Sequence, residues 1–261
     1  MAVDYIIWGC GFLAEAGLIL LLIRMRVFRV YPAFFLFVCW SLVSDFLFFF
    51  LQTLPDSTYS KLYVIQVGID TAMIFAVLLE LAWSVLRPIR SSLPRRSVLI
   101  LVVILALAGL ALWPVAGIAT PGNLTHKGEF LFRLDQTASI LRIVFFLALA
   151  GFSQLLSIGW RNRELQIATG MGIYSIVSLS VSILHTHQIV GPQYHWLDQV
   201  MAVSYLGALS YWVLAFATKE AERQDFSPQM QSFLLLVGGT AKAGRVAVSD
   251  FGASKTRRRD D

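Results

Sequence analysis

The stretch Ser97-Val-Leu-Ile-Leu-Val-Val-Ile-Leu-Ala-Leu-Ala-Gly-Leu-Ala-Leu-Trp-Pro-Val-Ala-Gly-Ile118 contains no charged residue. About 20 mostly apolar residues are needed for a helix to cross a hydrocarbon core of roughly 30 Å. This segment meets that length, and from Val98 to Trp113 it has no polar side chain at all. It begins directly after Arg95 and Arg96, the pair of charges that would hold one end at a membrane surface.

Working outward, six further stretches have the same character. The predicted spans are Tyr5–Ile23, Pro32–Leu51, Leu62–Leu86, Ser97–Ile118, Thr137–Ile158, Leu165–His185 and Leu197–Thr218. With the short loops between them they account for Tyr5 to Thr218. The expected fold is therefore an all-α, polytopic seven-helix transmembrane bundle. Residues 219–261 form a basic, mostly disordered tail, with Phe233–Val237 as its one apolar segment.

Composition agrees. The chain of 261 residues is 57% apolar and only 14% charged, with a mean hydropathy of +0.70. A soluble domain has roughly 45–50% apolar and about 25% charged residues. An intrinsically disordered chain is excluded by the same numbers, because disorder needs low hydrophobicity and high charge. Two cysteines cannot staple a chain of this length. Cys10 and Cys39 are also expected at different depths, which argues against a disulfide between them.

Basic residues set the expected orientation. Arg24, Arg26 and Arg29 lie between spans one and two. Arg87, Arg90, Arg95 and Arg96 lie between three and four, and Arg161 and Arg163 between five and six. With the tail, these loops hold all but four of the 21 Lys and Arg residues, on one side of the membrane. Of the four, Lys61, Lys127 and Arg133 fall on the opposite side and Arg142 falls inside a span. The N-terminus is thus expected outside and the C-terminus in the cytoplasm, in a plasma membrane (the inner membrane of a bacterium). The first span lacks a positive leader and a small-residue cleavage site, so it reads as a retained anchor rather than a cleaved signal.

The net charge of +5 and pI near 9.4 follow from this rim of basic residues, which anionic headgroups favour. The charges alternate with spans and form no single patch apart from Lys255–Arg259, so nucleic acid is not an expected partner. A sparse 3+1+3 repeat is visible. Arg29, Ser41, Val43 and Ser44 fall on Arg163, Ser175, Val177 and Ser178 at an offset of 134. Shared membrane constraints produce much of such a match. In that arrangement span four is a linker facing lipid or another subunit.

Function points to the charges inside the membrane. A charged side chain at mid-bilayer costs roughly 2.5–3.5 kcal/mol on insertion scales, and such residues mark pathways and ligand sites. Glu15, Asp45, Asp70, Glu80 and Arg142 all fall within predicted spans. Counting about 1.5 Å per residue puts Glu15, Asp45, Asp70 and Arg142 in the outer half, where Arg142 can pair with any of the three carboxylates. Glu80 lies nearer the cytoplasm. Gln66, Asp70 and Glu80 fall within about 80° of one another on a helix turning ~100° per residue. That stripe is expected to face the bundle interior.

Four carboxyls against one guanidinium leave an acidic excess that is costly to bury. Either some carboxyls keep their protons, or a cation or water-filled cavity compensates. This suits a pathway or cavity for a proton, a cation or a small polar solute. The bland alternative is a set of hydrogen-bonded acids that tie helices together. Spans six and seven carry Gly170, Gly172, Tyr174, Ser175, Ser178, Tyr205 and Ser210 among other small or hydroxyl residues. They suit close helix packing, or the lining of a cavity opposite Asp70 and Arg142.

His126, His185, His187 and His195 all fall on the outer side and are candidate zinc or copper ligands, although His-x-His has no established second pair. No phosphate-binding Gly-rich loop, nucleophile elbow or His-Glu-x-x-His is present. Span seven has no lysine for a retinal Schiff base. No cofactor is implied, and an enzyme is disfavoured. The expected activity is small-solute or proton/cation transport through the polar interior. The alternative is a seven-helix sensor or receptor-like protein acting through a cytoplasmic protein partner at residues 219–261.

Overall fold

The computed structural model describes residues 2–51, 56–86, 97–117, 126–151, 162–187 and 193–218. All the regular structure among them is helical. The helices are α1 (Ala2–Arg24), α2 (Pro32–Leu51), α3 (Asp56–Val85), α4 (Ser97–Ala116), α5 (His126–Gly151), α6 (Arg163–His187) and α7 (Gln193–Ala217). Six are long and apolar enough to cross a membrane. In α2 the apolar stretch Pro32–Leu47 is shorter.

Six of the helices form a ring in the order α1, α2, α3, α5, α6, α7, closed by α7 against α1. α4 sits outside it, against α5 and α3. Its apolar side chains, including Leu99, Ile104, Leu107 and Leu110, are exposed. A helix apolar on every side makes sense only where its outer surface meets lipid or another apolar partner. Residues 219–261 lie outside the described residues.

One correction concerns α5. The sequence places a loop over 119–136 and starts the span at Thr137. The structure begins the helix at His126 instead, eleven residues earlier, and residues 152–158 of the predicted span lie outside those described. The reason is local and tertiary together. Glu129 and Arg133 form an i,i+4 ion pair on the first turns. Gln136 is 2% exposed and donates to Ser182 Oγ on α6 at 3.2 Å. Polar residues that turn inward depress a hydropathy reading without ending the helix.

The two ends of the ring differ. At the end where α1 finishes, the interior is a packed apolar core of Leu18, Leu22, Phe34, Leu78, Leu81, Leu209 and Phe216. Phe34 meets Trp212 edge-on at 5.1 Å and stacks on Phe216 at 5.8 Å. Gly170 makes room for the Trp212 ring: a Cβ there would run into its Nε1. Gly172 does the same for Phe146. Close approach through small residues is the usual basis of helix association in lipid, where burial of apolar surface gives no advantage over lipid contact.

Polar contacts close this same end. Arg163 donates to the carbonyls of Ala215 (2.7 Å) and Thr218 (2.8 Å), so it satisfies the C-terminus of α7. Ser84 Oγ donates to Glu164 at 2.8 Å and lies 3.3 Å from the Tyr31 hydroxyl. Between α1 and α2 the chain turns tightly, with Arg26 in the left-handed region at φ 56°.

Candidate functional site

Toward the opposite end, where α1 begins, the ring interior is open. A cavity of about 460 Å³ is bounded by α2, α3, α5, α6 and α7. Its size falls within the roughly 300–1,000 Å³ of ligand pockets. Asp45, Asp70, Asp135 and Asp198 line it, with Arg142 as the basic member. Tyr63, Asp135 and Asp198 on its wall are exposed, which marks its mouth.

Each acidic group arrives from a different helix, Asp45 from α2, Asp70 from α3, Asp135 from α5 and Asp198 from α7. Asp70 accepts a hydrogen bond from Trp40 Nε1 at 2.6 Å, and Gln66 Nε2 donates to Ser44 Oγ at 2.6 Å, so both bonds join α2 to α3. Of the α3 stripe Gln66, Asp70 and Glu80, the first two line the cavity with Ile74, and Val77 is fully buried beyond them.

Arg142 is 6% exposed. Its Nη2 donates to Ser139 Oγ at 2.9 Å, and its guanidinium lies 5.7 Å from the centre of the Tyr174 ring. Among the described residues it makes no ion pair with Glu15, Asp45 or Asp70, contrary to the pairing the sequence suggests, although Asp45, Asp70 and Asp135 share the cavity with it. Arg142 lies sixteen residues into α5, about 24 Å along at ~1.5 Å per residue, rather than near its end. Its buried Nε has no protein partner. Buried donors are nearly always satisfied by protein or water, so this one calls for an acceptor within the cavity.

Glu15 lies beneath the cavity floor and is fully buried. One of its carboxylate oxygens accepts from the Ser41 hydroxyl at 2.7 Å and from Tyr205 Oη, and the two hydroxyls are 2.6 Å apart. This knot ties α1, α2 and α7 together. Its second oxygen is buried without a partner. Tyr205 also packs edge-on against Tyr174 at 5.4 Å. A continuous line of contacts thus runs from Glu15 through Tyr205 and Tyr174 to Arg142.

Glu80 stands apart from the other candidates. Its Oε1 accepts from Ala33 N–H at 2.8 Å and its Oε2 from Phe34 N–H at 3.0 Å. It caps the first turn of α2, which opens on Pro32, a residue that suits a first helical position because it has no N–H to satisfy.

Sequence reasoning missed Asp135, placed in the 119–136 loop, and Asp198, at the very start of the predicted span Leu197–Thr218. A signal for Asp135 was present. It lies seven residues before Arg142, two turns and about −20° away on the same helix face. The hydroxyl-rich helices divide. Tyr174, Ser178 and Tyr205 line the cavity, whereas Thr169 and Ser180 bond back to carbonyls of their own helix.

His126 opens α5 and is exposed. His185 and His187 end α6 and His195 lies in the first turn of α7, and their side chains are outside the described residues. Among the described residues no three His, Cys, Asp or Glu side chains group as metal ligands. Cys10 and Cys39 are free thiols. No protein-family model, curated protein or solved structure matches this chain.

Proposed function

We propose that the chain is a small multi-pass transporter in which all seven helices cross the bilayer, the N-terminus lies outside and the cavity receives a cation or small polar solute from that side. The observation that carries this reading is the composition of the cavity. Four carboxyls face one guanidinium, and the guanidinium retains an unpartnered donor. An intramembrane acidic excess of this kind is costly unless protons, water or a cation compensate it. The orientation rests on the one-sided distribution of Lys and Arg.

The packed end supports a transport cycle with two states. Access from one side is open, while the apolar core and the Arg163, Glu164 and Glu80 contacts close the other. Passage would require α7 to part from the N-terminus of α6 at Arg163. The 3+1+3 arrangement fits the peripheral position of α4.

The test is flux into proteoliposomes containing the full chain, screened over monovalent cations, protons and small polar solutes. Wild-type protein is expected to pass one of these. Asp70→Asn combined with Arg142→Gln is expected to reduce that flux by about tenfold or more, as for loss of a charge-assisted contact of about 1.5–3 kcal/mol. Flux undiminished in the double variant overturns the residue assignment. Wild-type vesicles as tight as empty ones for every solute overturn transport.

A further inference from the structure

A second chamber joins the polar cavity, and its chemistry is different. It measures about 370 Å³ and lies between the inner faces of α1 and α7. Ile7, Trp8 and Gly11 form its α1 side, and Gln199, Ala202 and Leu206 form much of the other. Asp45, Asp198, Ala202 and Tyr205 belong to both chambers, so the two spaces meet along that line. On α7 the shared and private residues recur at 198, 202, 205 and 206, one face of a helix.

One position keeps the chamber open. At Gly11 a Cβ would meet nothing within 4 Å, so the space is real and borders a bare backbone. Below it the helices are drawn together by the Glu15–Tyr205 contact and by Leu18, Leu22 and Leu209. The chamber therefore ends at a polar knot on the floor and at a carboxylate-lined doorway on the side.

We infer that the ligand of this protein is an amphipathic organic cation, with an oxygen-bearing ammonium head in the polar cavity and one apolar chain in the chamber between α1 and α7. The inference deepens the transport reading and rests on its cavity being a binding site. Three features select the head. The carboxyls of Asp45, Asp70, Asp135 and Asp198 favour positive charge. Trp40 and Tyr205 bring to its wall aromatic rings, the side-chain type that binds alkylammonium groups. Arg142 Nε awaits an oxygen acceptor. The apolar chamber selects the chain, because its walls offer an alkyl group contacts that a bare inorganic cation cannot use.

The experiment uses full-length protein in lipid nanodiscs and two probes with the same head, lauroylcholine and choline. Binding is read by tryptophan fluorescence, with empty nanodiscs subtracted. Lauroylcholine is expected to bind about tenfold or more tightly than choline, since each buried methylene adds affinity. Gly11→Leu puts an alkyl side chain at a position where a Cβ meets nothing within 4 Å, and is expected to weaken lauroylcholine by about tenfold while leaving choline within about twofold. Gly9→Leu is the control. It also has open space at its Cβ but lies on the other side of α1, and it is expected to change neither probe.

Equal affinity for the two probes overturns the inference, and so does lauroylcholine binding unaltered by Gly11→Leu. In both cases the cation cavity itself stands. Absence of binding by either probe also overturns the inference, and the flux measurement then judges the transport reading by itself.

Discussion

The Glu15 carboxyl gathers α1, α2 and α7 beneath the cavity. It is fully buried and serves two hydroxyls, Ser41 and Tyr205, through one oxygen. Tyr205→Phe removes one donor from a buried acid and is expected to cost about 1–3 kcal/mol, the range for leaving a buried polar group short of a partner. Glu15→Gln keeps an acceptor for both hydroxyls and removes the charge, so it is expected to cost less. Thermal unfolding in detergent should rank wild type, Glu15→Gln and Tyr205→Phe in that order of decreasing stability. The reverse order for the two variants would show that the charge, rather than the hydrogen bond, holds the knot. This contact was not legible in the sequence. Glu15 and Tyr205 stand 190 positions apart, and no local pattern marks them as partners.

α2 shows how one helix can depend on a side chain from another. Its first turn lies against α3, and its Ala33 and Phe34 N–H groups are satisfied by Glu80. The first turn of any helix leaves such donors without an internal partner, and a carboxylate there also meets the positive end of the helix dipole. Glu80→Ala is expected to destabilise the protein by about 1–3 kcal/mol, with Glu80→Gln intermediate because it retains one acceptor. Denaturation midpoints for the three proteins check this, and an Ala variant as stable as wild type refutes the capping role. The existence of α2 was plain from its run of aromatic and aliphatic residues, and Pro32 marked its start. What caps it was not, because the cap comes from 46 residues away. For α5 even the boundary escaped. Its first turns carry Lys127, Glu129, Arg133, Asp135 and Gln136, and hydropathy cannot tell polar residues that line an interior from those of a loop.

For the whole molecule, the asymmetry of the ring gives the orientation a concrete consequence. With Cys10 and Cys39 replaced, a single cysteine at Lys127→Cys is expected to react with a membrane-impermeant maleimide on intact cells. One at Ser254→Cys is expected to react only after lysis, and the opposite pattern reverses the orientation. Sequence by itself determined that the chain is a bundle of long apolar helices, because about 20 uncharged residues can be stable in a bilayer only as a helix that satisfies its own backbone. It also showed that charged groups lie among those helices, since Asp45, Asp70 and Arg142 interrupt apolar runs. Only the tertiary structure decided which of these groups share a space. It brought Asp135 and Asp198 to the cavity, placed Glu15 beneath the floor and set Glu80 to cap a helix. The physical reason is that burial of a helix face is legible in periodicity, whereas the rotation of each helix about its axis is fixed by neighbours such as Trp212 on Gly170, distant in sequence and selected by packing alone.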